Sequence, residues 1–258
     1  MKEITPFGIC YVKLEPDQVE PYNLVVVEPD FYSAEEVKNL KSKGTKIIAY
    51  TTLGEVDPNR NYFADLEKYG FLGENPLWNS YYLDLNKKEV RDFIINNVIQ
   101  GIMSKGFDGL FLDTVDAVSP ETERGDLQPF MSAMIQNIRE LYPQKIIIQN
   151  AGLFLLNETS TYIDAFLTES LASTFDFETQ EYVIRPVGEF KERLGYLQYY
   201  VDQFDVPYLI LDYADSDRHY QQIKTRLDTL GHPYFVSNIA LSKLPSNADS
   251  VANKLGGD

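Results

Sequence analysis

Eight short apolar runs recur along the chain, and each closes on a polar residue: FGICYV (7–12), NLVVVEPD (23–30), KIIAYTTLGE (46–55), FDGLFLDTVD (107–116), KIIIQNAG (145–152), DAFLTESL (164–171), PYLILDYADSD (207–217) and HPYFVSN (232–238). Runs that are apolar at consecutive rather than alternate positions suit strands buried on both faces, as in a parallel sheet covered by helices. Between them the spacing turns helical. Ser33 caps a helix with Glu36 three residues on and Gly44 at its end, the signature of a capping box and a left-handed stop. Further helices are expected over 87–105, 126–142, 187–204 and 217–230. Strands alternating with helices over about 250 residues predict a (β/α)8 TIM barrel, a single domain over residues 1–245. An open doubly wound sheet is the rival, but no GxGxxG motif opens its first helix. Segment 56–86 is too long for one crossover and is expected to ride over one end of the barrel. Residues 246–258 read as a frayed tail.

In such a barrel, function sits at the C-terminal ends of the strands. The residues closing the runs are Tyr11, Glu28, Tyr50 with Glu55, Asp113 with Asp116, Asn150, Glu169, Asp212 with Tyr213, and Asn238. No lysine, cysteine or histidine is among them, so Schiff-base, thiolate and triad chemistry have no nucleophile or base. Carboxylate chemistry remains: glycoside hydrolysis by an acid with a nucleophile or base, or an acidic cage for Mg²⁺ or Ca²⁺. Asp113 ends a buried strand, where an unpartnered charge costs several kcal/mol. Asp116 follows in the loop. Glu169 arrives amid apolar neighbours, where desolvation raises a carboxyl pKa toward the value a general acid needs. Asn150 is placed to hold a hydroxyl or a carboxylate, Tyr50 and Tyr213 to meet a sugar, and Trp78 on the excursion to stack against one. His219 and His232 are expected to be structural.

Composition narrows the partners. There are 23 Lys+Arg against 39 Asp+Glu, a net charge of −16, and no basic run, so nucleic acid and anionic membranes are poor partners while a cationic substrate would be attracted. Aromatics make up 13% of the chain, a lean toward ring-shaped ligands. Cys10 is the only cysteine, which excludes an internal disulfide and a cysteine-based zinc site, and neither metal nor cofactor is expected. No apolar run approaches the ~20 residues of a membrane helix.

The segments GFDGLFLDTVD (106–116), IIAYTTLGE (47–55), NPLWNSYYLDL (75–85), IIIQNAG (146–152), DAFLTESL (164–171) and LILDYADSD (209–217) together resemble the glycoside hydrolase family 114 type of TIM barrel. This is the group of endo-α-1,4-polygalactosaminidases, and the hydrolase domain of Pel polysaccharide systems is similar. The resemblance spans about residues 5–240 and rests most on GFDGLFLDTVD and Glu169. It implies cleavage of α-1,4-linked galactosamine polymers, which are cationic when deacetylated. It makes Asp113 the nucleophile and Glu169 the acid/base. It also matches Tyr50, Gly54 and Glu55 on the third strand, Asn150 on the fifth, and Asp212 with Tyr213 on the seventh. Thr51, Thr52 and Thr114 depart from the residues more frequent in the family.

The reading is therefore a glycosidase acting on a cationic amino-sugar polysaccharide, with Tyr11, Glu28, Tyr50, Glu55, Trp78, Asp116, Asn150, Asp212 and Tyr213 around the substrate. A non-catalytic carbohydrate-binding barrel and a metal-dependent hydrolase using Asp113, Asp116 and Glu28 stay open. A polysaccharide substrate implies a secreted or envelope protein whose signal segment is absent from this sequence; a cytoplasmic one stays open too.

Overall fold

A computed structural model describes residues 4–245; the expected frayed tail lies outside them. The eight apolar runs form eight strands: β1 (Phe7–Cys10), β2 (Leu24–Val27), β3 (Lys46–Thr52), β4 (Gly109–Asp113), β5 (Ile146–Asn150), β6 (Ala165–Glu169), β7 (Tyr208–Tyr213) and β8 (Tyr234–Ser237). They pair in chain order, every pair parallel. The sheet curls until β1 and β8 lie side by side, with the rings of Phe7 and Phe235 6.1 Å apart. At the rim Tyr11 N–H donates to the Leu241 carbonyl at 2.8 Å. The result is a nearly closed (β/α)8 barrel.

The strands are buried on both faces, as their unbroken apolarity requires: all four residues of β1, β2 and β8 are buried, and so are all six of β7. Gly109, first in β4, is needed for closeness, because a Cβ there would stand 2.0 Å from the Ile146 carbonyl oxygen on β5.

The helices follow their signals. Ala34–Leu40 carries the Ser33–Glu36 capping box and, after a 3₁₀ turn, ends at Gly44, whose φ of 96° suits glycine alone. Val187–Phe204 has the expected bounds. The 87–105 segment is one helical rod interrupted by a π-helical stretch over Ile94–Ile99.

Two excursions leave the C-terminal rim. The one after β3 holds a short helix, Phe63–Glu67, and a three-stranded antiparallel sheet of Glu55–Val56, Phe71–Asn75 and Ser80–Leu83. The other, after β6, is an antiparallel hairpin of Ser173–Asp176 and Glu181–Ile184. Asp176 sets its turn by accepting from the N–H groups of Glu178 and Thr179 at 2.8 and 3.1 Å. The two excursions meet where Trp78 packs edge-on against Phe177, ring centres 5.1 Å apart.

Candidate active site

Parallel pairing brings the last residues of neighbouring strands to one rim. Asp113 ends β4, Asn150 β5, Glu169 β6 and Tyr213 β7. Asp113 Oδ1 accepts from Asn150 Nδ2 at 2.8 Å, and its Oδ2 accepts from the Tyr50 hydroxyl at 2.8 Å. Glu169 repeats the arrangement: Oε1 accepts from the same Asn150 Nδ2 at 2.6 Å, and Oε2 from the Tyr213 hydroxyl. All four carboxylate oxygens are thus held by donors. Two oxygens at 2.8 and 2.6 Å from one nitrogen are no more than 5.4 Å apart.

The backbone enforces this geometry. Three of the four rim residues, Asp113, Asn150 and Glu169, are each followed by a non-glycine residue in the left-handed region: Thr114 (φ 56°), Ala151 (φ 60°) and Ser170 (φ 56°). Such residues cost of order 1–2 kcal/mol, and here the surrounding bonds impose them. Ala151 N–H donates to Leu167 at 3.0 Å and Ser170 N–H to Leu211 at 2.8 Å. Thr114 Oγ1 accepts from Leu53 N–H at 3.2 Å and Gly54 N–H at 2.9 Å. Gly54 has no room for a side chain, since its Cβ would lie 2.4 Å from the Thr114 carbonyl oxygen.

Burial first, then the neighbouring Asp113 charge, pushes the Glu169 carboxyl up to about 7, against the opposing hydrogen bonds from Tyr213 and Asn150. Asp116, solvent-accessible but inside the concave mouth, is pushed to about 6 by the enclosing protein and then by Asp113. Desolvation, followed by the nearby carboxylates, raises Tyr11, Tyr50 and Tyr213 well above the usual phenol value, so they act as neutral donors.

The remaining expected residues separate by what they touch. Tyr11 lies within electrostatic reach of Asp113, Glu169 and Glu28, its ring 4.8 Å from that of Tyr50. Glu28 is half-buried and bound by Arg60, with Nη1 at 2.6 Å from Oε1 and Nη2 at 2.8 Å from Oε2. Glu55 is buried within the sheet of the first excursion and accepts from Asn75 and Ser80. Asp212, expected at the substrate, is instead wholly buried and accepts from Ala172 N–H, Ser173 N–H and Ser173 Oγ at 2.8, 2.8 and 2.5 Å. It holds the loop leading to the hairpin. Trp78 is 55% exposed on the excursion. His232 stacks on Tyr208, and His219 lies 2.6 Å from Asp215.

Sequence reasoning missed Arg60. Besides gripping Glu28 it bonds Asp30 at 2.8 Å and lies over the Tyr50 ring, 5.7 Å from its centre. It comes from the excursion, where no strand end marks it. Because Arg60 occupies Glu28, the trio Asp113, Asp116 and Glu28 does not form a cation cage; among the described residues no three His, Cys, Asp or Glu side chains are arranged to hold a metal ion. The site as it stands can donate a proton from one carboxyl and offer the other as nucleophile.

A profile of glycoside-hydrolase family GH114 matches residues 4–252. Among solved structures the chain is similar to the glycoside hydrolase domain of PelA from Pseudomonas aeruginosa, 23% identical with a TM-score of 0.81, over 93% of this chain and 97% of that one. It is also similar to Ega3 of Aspergillus fumigatus, solved in complex with galactosamine, 14% identical with a TM-score of 0.69, over 91% and 90% of the two chains. An uncharacterized protein of Deinococcus radiodurans is 24% identical over 262 residues, 95% of this chain and 82% of its own length. At these identities the structural likenesses establish the shared barrel.

Proposed function

The chain belongs to glycoside-hydrolase family GH114 and is a glycosidase, and we propose that it cleaves α-1,4-linked galactosamine polymers with Glu169 as general acid/base and Asp113 as nucleophile. The observation carrying this reading is the pair of carboxylates on one amide, with facing oxygens no more than 5.4 Å apart. Two carboxylates close enough to share one amide donor suit the about 5–5.5 Å between the carboxyl groups of retaining enzymes.

Protonated Glu169 gives its proton to the glycosidic oxygen as the bond to the anomeric carbon breaks, and an Asp113 oxygen bonds to that carbon. Water then attacks the same carbon, its proton passing to Glu169 and the Asp113 bond breaking. A carboxyl raised to about 7 is matched to both halves of this cycle. While Glu169 carries its proton, the Tyr213 hydroxyl turns from donor to acceptor; both partners are rotors.

The substrate class follows from charge. Arg60 is neutralised by Glu28 and Asp30, and Arg185 and Arg124 donate to the Ser170 and Ala117 carbonyls, whereas Asp116 and the catalytic pair form no ion pair among the described residues. Ammonium groups of deacetylated galactosamine would meet them. Trp78, backed by Phe177, offers a flat surface for a sugar ring beyond the cleaved bond. A polymer of this kind lies outside the cell, so the enzyme acts there or at the envelope. Among the described residues no helix is long and apolar enough to cross a membrane.

Mass spectrometry of products tests the reading. Partly deacetylated α-1,4-galactosamine polymer should yield short oligosaccharides with galactosamine at the cleavage point. Cleavage of only fully N-acetylated or neutral α-galactans would overturn it.

A further inference from the structure

The helix Val187–Phe204 packs Phe190, Leu197 and Val201 against the barrel and turns Tyr196 and Tyr199 outward, 55% and 67% exposed. A solvent-facing helix surface is ordinarily polar. These rings are also fixed in place. Half-buried Tyr200 meets Tyr196 at a ring separation of 5.1 Å and 65°, and Tyr199 at 5.2 Å and 86°. It is a wedge that sets both outer rings at defined angles.

The surroundings are acidic. Glu192 and Asp202 lie within one helical turn of the two rings, with Arg193 the single cation at that spacing. Glu121 acts on the Tyr196 hydroxyl through its charge. Glu121 belongs to the loop that leaves β4 directly after Asp113, so the tyrosine surface and the catalytic mouth are joined by one loop.

We propose that Tyr196 and Tyr199 form a second polysaccharide-binding surface, outside the catalytic mouth, for the cationic amino-sugar polymer. This rests on the substrate assigned above. Aromatic faces take the C–H face of a pyranose, phenolic hydroxyls bond its hydroxyls, and the flanking carboxylates meet ammonium groups. A chain held here stays near the mouth at raised local concentration.

The test compares wild type with the double variant Tyr196→Ala/Tyr199→Ala, both positions being exposed, on a galactosamine tetrasaccharide and on long partly deacetylated polymer. Expected are unchanged kcat and KM on the tetrasaccharide, and a polymer KM raised about tenfold, equivalent to ~1.4 kcal/mol. Retardation in a polymer-containing gel should be lost, and the Tyr196→Phe/Tyr199→Phe variant should keep most of it. Equal polymer KM in wild type and the Ala variant would overturn this surface while leaving the substrate reading intact. So would a wild-type dimer that the Ala variant turns into monomer. Failure of wild type to cut the polymer would overturn both.

Discussion

Asp113 and Glu169 share one hydrogen-bond donor, the Asn150 side-chain nitrogen, which reaches Asp113 Oδ1 at 2.8 Å and Glu169 Oε1 at 2.6 Å. A neutral amide fixes the separation of two acids without adding charge between them. The Asp113 charge therefore still acts on Glu169 and helps keep its proton. Tyr50 and Tyr213 hold the outer oxygens, so neither carboxylate can rotate without losing a bond.

Asn150→Ala removes the shared donor and nothing else that is bonded, since Asn150 Oδ1 has no partner. By the scale of losing one preorganised donor, kcat should fall about 10²-fold. The thermal midpoint should stay close to that of wild type. Unchanged kcat would mean that the amide does not set the geometry of the pair.

The elevated Glu169 carboxyl fixes two pH effects. Its general-acid form is lost as pH rises, so kcat/KM should fall above about 7. For stability, the native carboxyl holds its proton up to about 7 while the unfolded one releases it near the ordinary glutamate value of 4.5. The native state therefore binds the extra proton between these values. The stability this provides is complete below 4.5 and lost as pH rises through 7. Glu169→Gln, neutral throughout, should be more stable than wild type at pH 8, by ~1–3 kcal/mol, and should lose that advantage at pH 4. Thermal melts at both pH values check the sign.

Asp212→Ala should act on stability. It leaves two buried N–H groups without an acceptor and removes the acceptor of the Ser173 hydroxyl, which keeps only its bond from Tyr213 N–H, a loss of about 2–4 kcal/mol. Asp116→Asn, at the open mouth, should raise KM for the amino polymer with little change in melting. If Asp212→Ala melts like wild type, the loop is held by something else.

Left-handed Ala151 gives a steric test. Glycine adopts its φ of 60° without strain and a β-branched residue does not. Ala151→Gly should keep the fold with kcat within a few-fold of wild type. Ala151→Val should be destabilised by about 1–2 kcal/mol, with kcat falling because Asn150 and Glu169 shift with the turn. Equal kcat in the two variants would detach the turn from catalysis.

The barrel was legible because each strand is a consecutive apolar run, and its rim because a polar residue ending such a run has to lie at the strand end. Asp113, Asn150, Glu169 and Tyr213 were found that way. The same rule misplaced Asp212, since successive side chains in a strand point to opposite sides and Tyr213 already faces the mouth. Counting by two along β7 would have separated them. Arg60 was hidden because the path of the excursion depends on long-range packing, including the buried Glu55 contacts with Asn75 and Ser80, and no local period encodes it. The hairpin over Ser173–Ile184 was likewise missed: most of its strand residues are only half-buried, and Phe175 and Phe177 alternate with polar residues instead of forming a consecutive apolar run. Of the six acids at the strand ends, Glu28 is neutralised by Arg60 and Glu55 and Asp212 are buried, which leaves Asp113, Asp116 and Glu169.

The most direct test of the two-carboxylate assignment is the rate of reducing-end release from partly deacetylated α-1,4-galactosamine polymer by wild type, Asp113→Asn and Glu169→Gln, each checked for native far-UV circular dichroism. Wild type should release reducing ends steadily, and each variant should lose about 10³-fold or more, as when a nucleophile or its proton-transfer partner is removed. Either folded variant running at the wild-type rate would contradict the assignment.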